Sequence, residues 1–133
     1  MAAATADDLS GIPLFATLEA EERATLAPWF EIEEVSPGVR LTGEGATGYS
    51  FFVLQEGTAT VSIDNIEVRT LGAGDFFGEL ALLGEGRRTA TVTTESPSRV
   101  LVLFGTEFRK LQQEFPELAE QIESNLRATA QAA

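Results

Sequence analysis

Apolar and polar positions change period twice along this chain. Between Leu18 and Trp29 the apolar residues Leu18, Leu26 and Ala27, with Phe30 just beyond, gather on one side of a helical wheel. Glu19, Glu21 and Glu22 load the first turn, where acid complements the partial positive charge of a helix N-terminus. The pattern predicts a helix over 18–29. Pro28 has no amide proton to donate and stops or kinks that helix near its end. Before it, Ile12-Pro13-Leu14-Phe15 reads as an apolar plug in which Pro13 biases Ile12 toward an extended backbone. Residues 1–11 read as a loose tail with a short turn.

From Ile32 the period drops to two. Strands are predicted at 32–35, 39–41, 49–54, 58–63, 66–69, 90–93 and 100–104. In the fourth of these Ala59, Val61 and Ile63 alternate with hydroxyl residues. Asp64-Asn65 suits a two-residue hairpin turn. Ser36-Pro37-Gly38, Leu71-Gly72-Ala73-Gly74-Asp75 and Ser96-Pro97-Ser98 punctuate the rest. Beyond Phe104 the helical period returns. Thr106 is the expected N-cap, with Glu107 after it. Phe108, Leu111 and Phe115 share a face, and Pro116 restarts the chain. Helices are predicted over 107–114 and 116–128, the second with a stripe of Leu118, Ile122 and Leu126. The fold class expected is mainly β with flanking helices. It is an antiparallel β-roll, jelly-roll-like, of about eight strands.

Length and charge narrow the function. The 133 residues suit one domain. Within it 12–30 forms the N-terminal helical segment, 31–104 the roll and 105–133 the C-terminal helices. Acidic residues number 21 against 9 basic, for a net charge of -12. Nucleic acid and anionic membrane surfaces both need a basic footprint, so neither is an expected partner. A small anion responds to local donors more than to distant net charge. There is no histidine and no cysteine, which removes imidazole metal sites, His-based triads, thiolates and disulfides. No catalytic residue, metal or cofactor is expected, and the chain does not read as an enzyme. The N-terminus lacks the pattern of a signal peptide and no segment spans a membrane, so the cytoplasm is the expected location.

Two glycine-rich stretches remain. Gly43-Glu44-Gly45-Ala46-Thr47-Gly48 spells the dinucleotide-binding pattern, but that reading needs a helix directly after it. Tyr49 to Leu54 follows instead, so the stretch reads as a bend between strands. The other runs from Gly74 to Val92. Glu79 to Leu83 offers one helical turn, too short to persist alone. Its free N–H groups favour an anion, and the planar fork of Arg88 suits phosphate. Glu79 would repel such an anion unless its carboxylate accepts hydrogen bonds from a hydroxyl on the same ligand. The competing reading is an exposed Glu–Arg pair at a strand mouth, worth little.

Phe77-Gly78-Glu79-Leu80-Ala81-Leu82, a spacer, and Arg88-Thr89-Ala90-Thr91-Val92 resemble the phosphate-binding cassette of the cyclic nucleotide-binding domain family. A second block, Leu41 to Gly57, is similar as well. There Thr42 departs from the apolar residue expected, and Arg87 stands where the family often has proline. The resemblance implies a short cassette helix within 74–92 and a ligand, cAMP or cGMP. Arg88 would pair with the phosphate. Glu79 would accept the ribose 2′-hydroxyl beside the Gly78 backbone, and the N–H groups of Leu80 and Ala81 would cradle the phosphate. Contact would extend to Thr89 and Ala90. A hydroxyl at Thr89 is compatible with either base. The last helix would close the pocket as the signal, with Arg127 a candidate cap on the base; the same helix could instead form a dimer contact. The output would lie in an unknown protein partner or in a domain outside this chain. The alternative reading is a docking module of the same fold that binds no ligand.

Overall fold

The apolar run Phe51-Phe52-Val53-Leu54 is buried throughout, and its alternate side chains enter two different cores. The computed structural model describes residues 2–42, 50–78 and 91–132. Its strands are β1 (Ala2–Ala3), β2 (Glu31–Val35), β3 (Arg40–Thr42), β4 (Ser50–Glu56), β5 (Ala59–Ile63), β6 (Ile66–Leu71), β7 (Phe76–Gly78), β8 (Thr91–Thr94) and β9 (Ser98–Phe104). Its helices are α1 (Ala6–Leu9), α2 (Ala20–Leu26), α3 (Gly105–Glu114) and α4 (Pro116–Ala132). The strands form a five-stranded sheet in the order β1-β2-β9-β4-β7 and a four-stranded sheet in the order β3-β8-β5-β6. Every recorded pairing is antiparallel.

The five-stranded sheet is the middle layer. Phe52, Leu54, Phe77, Val100 and Val102 meet Ala59, Val61, Leu71 and Val92 of the other sheet. Phe51, Val53, Leu101 and Leu103 pack on the opposite side against the helical residues Leu9, Phe15, Leu26, Phe108, Leu111 and Ile122. A strand covered on both faces has no polar face to show, and so β4 and β9 read as continuous apolar runs.

The Asp64-Asn65 hairpin forms as expected. Both residues take positive φ, 52° and 63°, the requirement of a tight turn matched to strand twist. The helix expected over 18–29 is α2 followed by a 3₁₀ turn at Ala27–Trp29. The break falls one residue before Pro28, which cannot donate back into an α-helix. Leu26, Ala27 and Phe30 are fully buried and Leu18 packs against the same cluster.

Three expectations need correction. Residues 2–9 are not a loose tail: β1 pairs with β2, and Ala4 and Leu9 are buried. The N-cap of α3 is Phe104 rather than Thr106, which lies inside the first turn with its hydroxyl donating to the Glu107 carboxylate. Finally, Phe76 and Phe77 belong to a strand of their own, β7, which pairs with β4.

Candidate functional site

The two glycine-rich segments depart from and return to one end of the roll. Thr42, the last residue of β3, pairs with Val92, and Thr91 opens β8 beside it. On the other sheet Gly78, the last residue of β7, pairs with Phe51, and Ser50 opens β4 beside it. Residues 43–49 join Thr42 to Ser50, and residues 79–90 join Gly78 to Thr91. Each segment therefore crosses from one sheet to the other at the same end. Of the expected site residues, Gly78 is placed at this frame. Glu79, Leu80, Ala81, Arg88, Thr89 and Ala90 lie outside the described residues, as does the Gly43 to Gly48 stretch. Arg127 falls within α4, and its side chain too lies outside them.

The backbone leading to Gly78 is held on three sides. Gly74 N–H donates to the Leu54 carbonyl at 2.7 Å, and Leu54 N–H donates to the Asp75 carbonyl at 2.8 Å. The Asp75 carboxylate accepts the Gly72 N–H at 2.8 Å, closing the turn on itself. Gly74 has φ +93°, and a Cβ there would lie 3.2 Å from the Pro13 ring. Both the conformation and the close approach call for glycine. The next two residues grip opposite faces of the sheet. Phe77 stacks on Phe52, with centroids 5.0 Å apart, inside the roll. Phe76 lies 5.5 Å from Phe51 on the helical side, and Phe51 lies 6.5 Å from Phe108 of α3. Sequence reading singled out Gly74 and Asp75 as a turn. It missed Pro13, Phe51 and Phe108 as its supports, because no local pattern shows which apolar residues meet across the fold.

The return at Thr91 is anchored by Val92, which is buried in the core between the sheets and pairs with Val61. Helix α4 lies over the other core. Leu118, Ala119 and Ile122 are buried there, so this part of the stripe read as a dimer surface is covered by its own chain. Gln121 and Asn125 of α4 border a cleft of about 390 Å³ with Pro13, Arg69 and the turn Ala73-Gly74-Asp75. At the α3–α4 junction Phe115 meets Trp29 edge-on at 5.8 Å, and the Lys110 ammonium sits 4.9 Å from the same indole ring. Among the described residues no group of carboxylates is placed to hold a metal, and no helix is long and apolar enough to cross a membrane.

Comparison with known proteins agrees with this frame. The family model described as cyclic nucleotide-binding domain matches residues 32–115. The chain is 36% identical over 107 residues to a cAMP-dependent protein kinase regulatory subunit of Colletotrichum orbiculare, covering 79% of this chain and 27% of that protein. It is 35% identical over 120 residues to the cGMP-dependent protein kinase, isozyme 1, of Drosophila melanogaster, covering 84% of this chain and 16% of that one. It thus spans less than a third of either relative. Among solved structures, the regulatory domain of Toxoplasma gondii PKA with cAMP superposes with a TM-score of 0.79 at 26% identity, over 90% of this chain and 47% of the other.

Proposed function

We propose, from the premise that this chain belongs to the cyclic nucleotide-binding domain family, that it is a ligand-sensing regulatory module for cAMP or cGMP. The observation that carries this reading is that the family match runs through 32–115 and so includes both Glu79 and Arg88. Its frame supports the reading: Gly78 and Thr91 bracket these two residues on opposite sheets at one end of the roll. Arg88 meets the cyclic phosphate, the backbone N–H groups of Leu80 and Ala81 complete its cradle, and Glu79 takes the ribose 2′-hydroxyl. Gly78, Thr89 and Ala90 line the same ligand. The 2′-hydroxyl loses water on binding and needs that acceptor, so a 2′-deoxy nucleotide binds worse.

The signal follows from differential affinity. A ligand shifts a conformational equilibrium only by as much as it prefers one state. The contacts from Phe76 through Phe51 to Phe108 lead from the cassette to α3, and α4 continues from α3 at Pro116. Movement of α4 over the ligand, with Arg127 at the base, is the proposed output motion. Its receiver is a protein partner or a domain beyond this chain.

Isothermal titration with cAMP and with cGMP tests the reading. At least one should bind, and Arg88→Ala should weaken it about a hundredfold or more, the scale for truncating one member of a buried charge pair. Glu79→Gln should weaken the ribonucleotide while scarcely affecting its 2′-deoxy analogue. Folded protein giving no heat with either nucleotide would instead support the docking module without a ligand.

A further inference from the structure

A groove of about 530 Å³ lies between α2 and the α3–α4 junction. Its apolar lining is Leu18, Phe115 and Leu118, which belong to the helical core or pack against it. Its charged lining is Glu22 of α2, Glu114 at the end of α3 and Glu117 at the start of α4. All three carry the same sign. Glu22 accepts the Glu19 N–H on one carboxylate oxygen at 2.9 Å. Among the described residues, the carboxylates of Glu114 and Glu117 have no hydrogen-bond or ion-pair partner. Cations close by in sequence are turned elsewhere. Arg23 donates to the Leu18 carbonyl. Lys110 precedes Glu114 by four residues, the spacing of a helical ion pair, yet its ammonium lies over the Trp29 ring. The groove is therefore left acidic, with an apolar floor.

We propose that this groove docks a basic segment of a partner protein, one that mixes arginine with apolar side chains. The guanidinium heads meet Glu22, Glu114 and Glu117, and the apolar groups lie on Leu18, Phe115 and Leu118. Long cationic side chains cover apolar surface with their stems and keep the charged head at the rim. The planar fork of a guanidinium fits a carboxylate. Charge chooses this occupant over others. A second copy of this chain brings a net charge of -12 and is repelled, as is an anionic membrane surface. Glu114 and Glu117 stand on either side of the turn into α4, so a segment held by both feels any movement of that helix. To this extent the groove names the chemistry of the protein receiver proposed above and rests on that reading.

Titration without nucleotide tests the docking by itself. The probe is a short peptide of alternating arginine and leucine. Calorimetry reads its affinity. Trp29 is the chain's one tryptophan and meets Phe115 edge-on, so its emission reports that the groove is filled. The peptide should bind. Serine in place of its leucines should weaken it, and glutamate in place of its arginines should abolish binding. Glu114→Gln combined with Glu117→Gln should weaken the arginine–leucine peptide about fivefold, the scale for losing two solvated pairs. Glu56→Gln combined with Glu67→Gln removes the same charge from exposed positions outside the groove. There the loss should stay below about twofold because salt screens the remote charges. Thermal melts check that both variants fold. An arginine–leucine peptide that gives neither heat nor a change in emission overturns the proposal. Equal losses from the two double variants overturn it too, since they would mark general attraction to an acidic chain. Docking by protein that gives no heat with either cyclic nucleotide upholds the groove and fails the nucleotide reading alone.

Discussion

The two ends of the β-roll hold themselves together by different means. At the end away from residues 43–49 and 79–90, polar groups cross-link the turns. Thr94, 1% exposed, donates its hydroxyl to the Ser36 carbonyl at 2.7 Å and accepts the Val39 N–H at 2.9 Å. Ser96 accepts the Thr58 N–H on its hydroxyl at 2.9 Å, and its carbonyl takes the Ser98 hydroxyl at 2.8 Å. The N-terminal segment is fastened at this end too. Gln55 donates to the Asp8 carbonyl at 2.9 Å, and Arg99 lies 3.4 Å from the Asp8 carboxylate. At the opposite end, the strand leading to Gly78 adds ring contacts to its backbone pairing with β4: Phe77 on Phe52 and Phe76 on Phe51. Hydrogen bonds fix direction and distance, whereas apolar contact is non-directional. The hydrogen bonds fix the geometry of the turns at one end, while the ring contacts seat the strand that leads into the proposed nucleotide-binding segment at the other. Stability and ligand affinity should therefore respond to different substitutions.

The largest break is Gly57→Val. Gly57 has φ +102°, and a Cβ there would lie 2.8 Å from the Pro97 carbonyl oxygen. Backbone strain and overpacking together should cost about 3 kcal/mol or more, measured by urea unfolding of the unliganded protein. Any fraction that folds should bind the nucleotide as the parent does. Lost affinity in a well-folded fraction would mean that the two ends are coupled.

Legibility in the sequence divides along related lines. β4 and β9 were visible as strands because their runs are long and apolar, whereas the burial of both their faces emerges only from the fold. The residues read as the cassette, from Phe77 to Val92, carried a chemical pattern: a carboxylate and a guanidinium at a fixed spacing around glycine and alanine. What stayed hidden was short or non-local. β1 has two residues and α1 has four, too few to show a period, and so Ala4 and Leu9 passed for a tail. β7 spans three residues, and its pairing with β4 depends on chain far away in sequence. The start of α3 is set by an extended Phe104 with φ -79° and ψ 163°. No side-chain cap is used there, so the hydroxyl of Thr106 drew attention to the wrong residue.

A smaller effect is expected from Thr94→Val, which keeps the shape and removes the hydroxyl. The Val39 N–H and the Ser36 carbonyl then lose a partner in a partly buried setting. The expected cost is about 1–3 kcal/mol, a fall in Tm on the order of 5–10 °C. Cyclic nucleotide affinity should stay within about twofold, far below the tenfold that 1.4 kcal/mol would produce. Scanning calorimetry and titration on the same preparation make the check. A variant that keeps its Tm but loses affinity would reverse the assignment of roles.

The smallest effect is a pH dependence at the end held by hydrogen bonds. Burial alone raises the Asp8 carboxyl. Hydrogen bonds from the Thr5 backbone and hydroxyl and from Gln55, with the Arg99 charge, outweigh that and hold it below the ordinary aspartate value. Because the folded value is the lower one, the Asp8 contribution is fully present above the unfolded value of about 3.9 and is lost as pH falls through the folded value. The Asp8 side chain is 16% exposed and that of Arg99 is 33% exposed, so the contribution should stay below about 1 kcal/mol, as for partly solvated pairs. Asp8→Asn should therefore melt slightly below the parent from neutral pH down to about pH 4, and the gap should close as pH falls further. Parallel melts across that range read the gap directly. A gap that persists into strong acid would show that Asp8 acts there through something other than its charge. A gap accompanied by weaker nucleotide binding at neutral pH would show that docking of the N-terminal segment reaches the ligand end through Pro13 and Gly74.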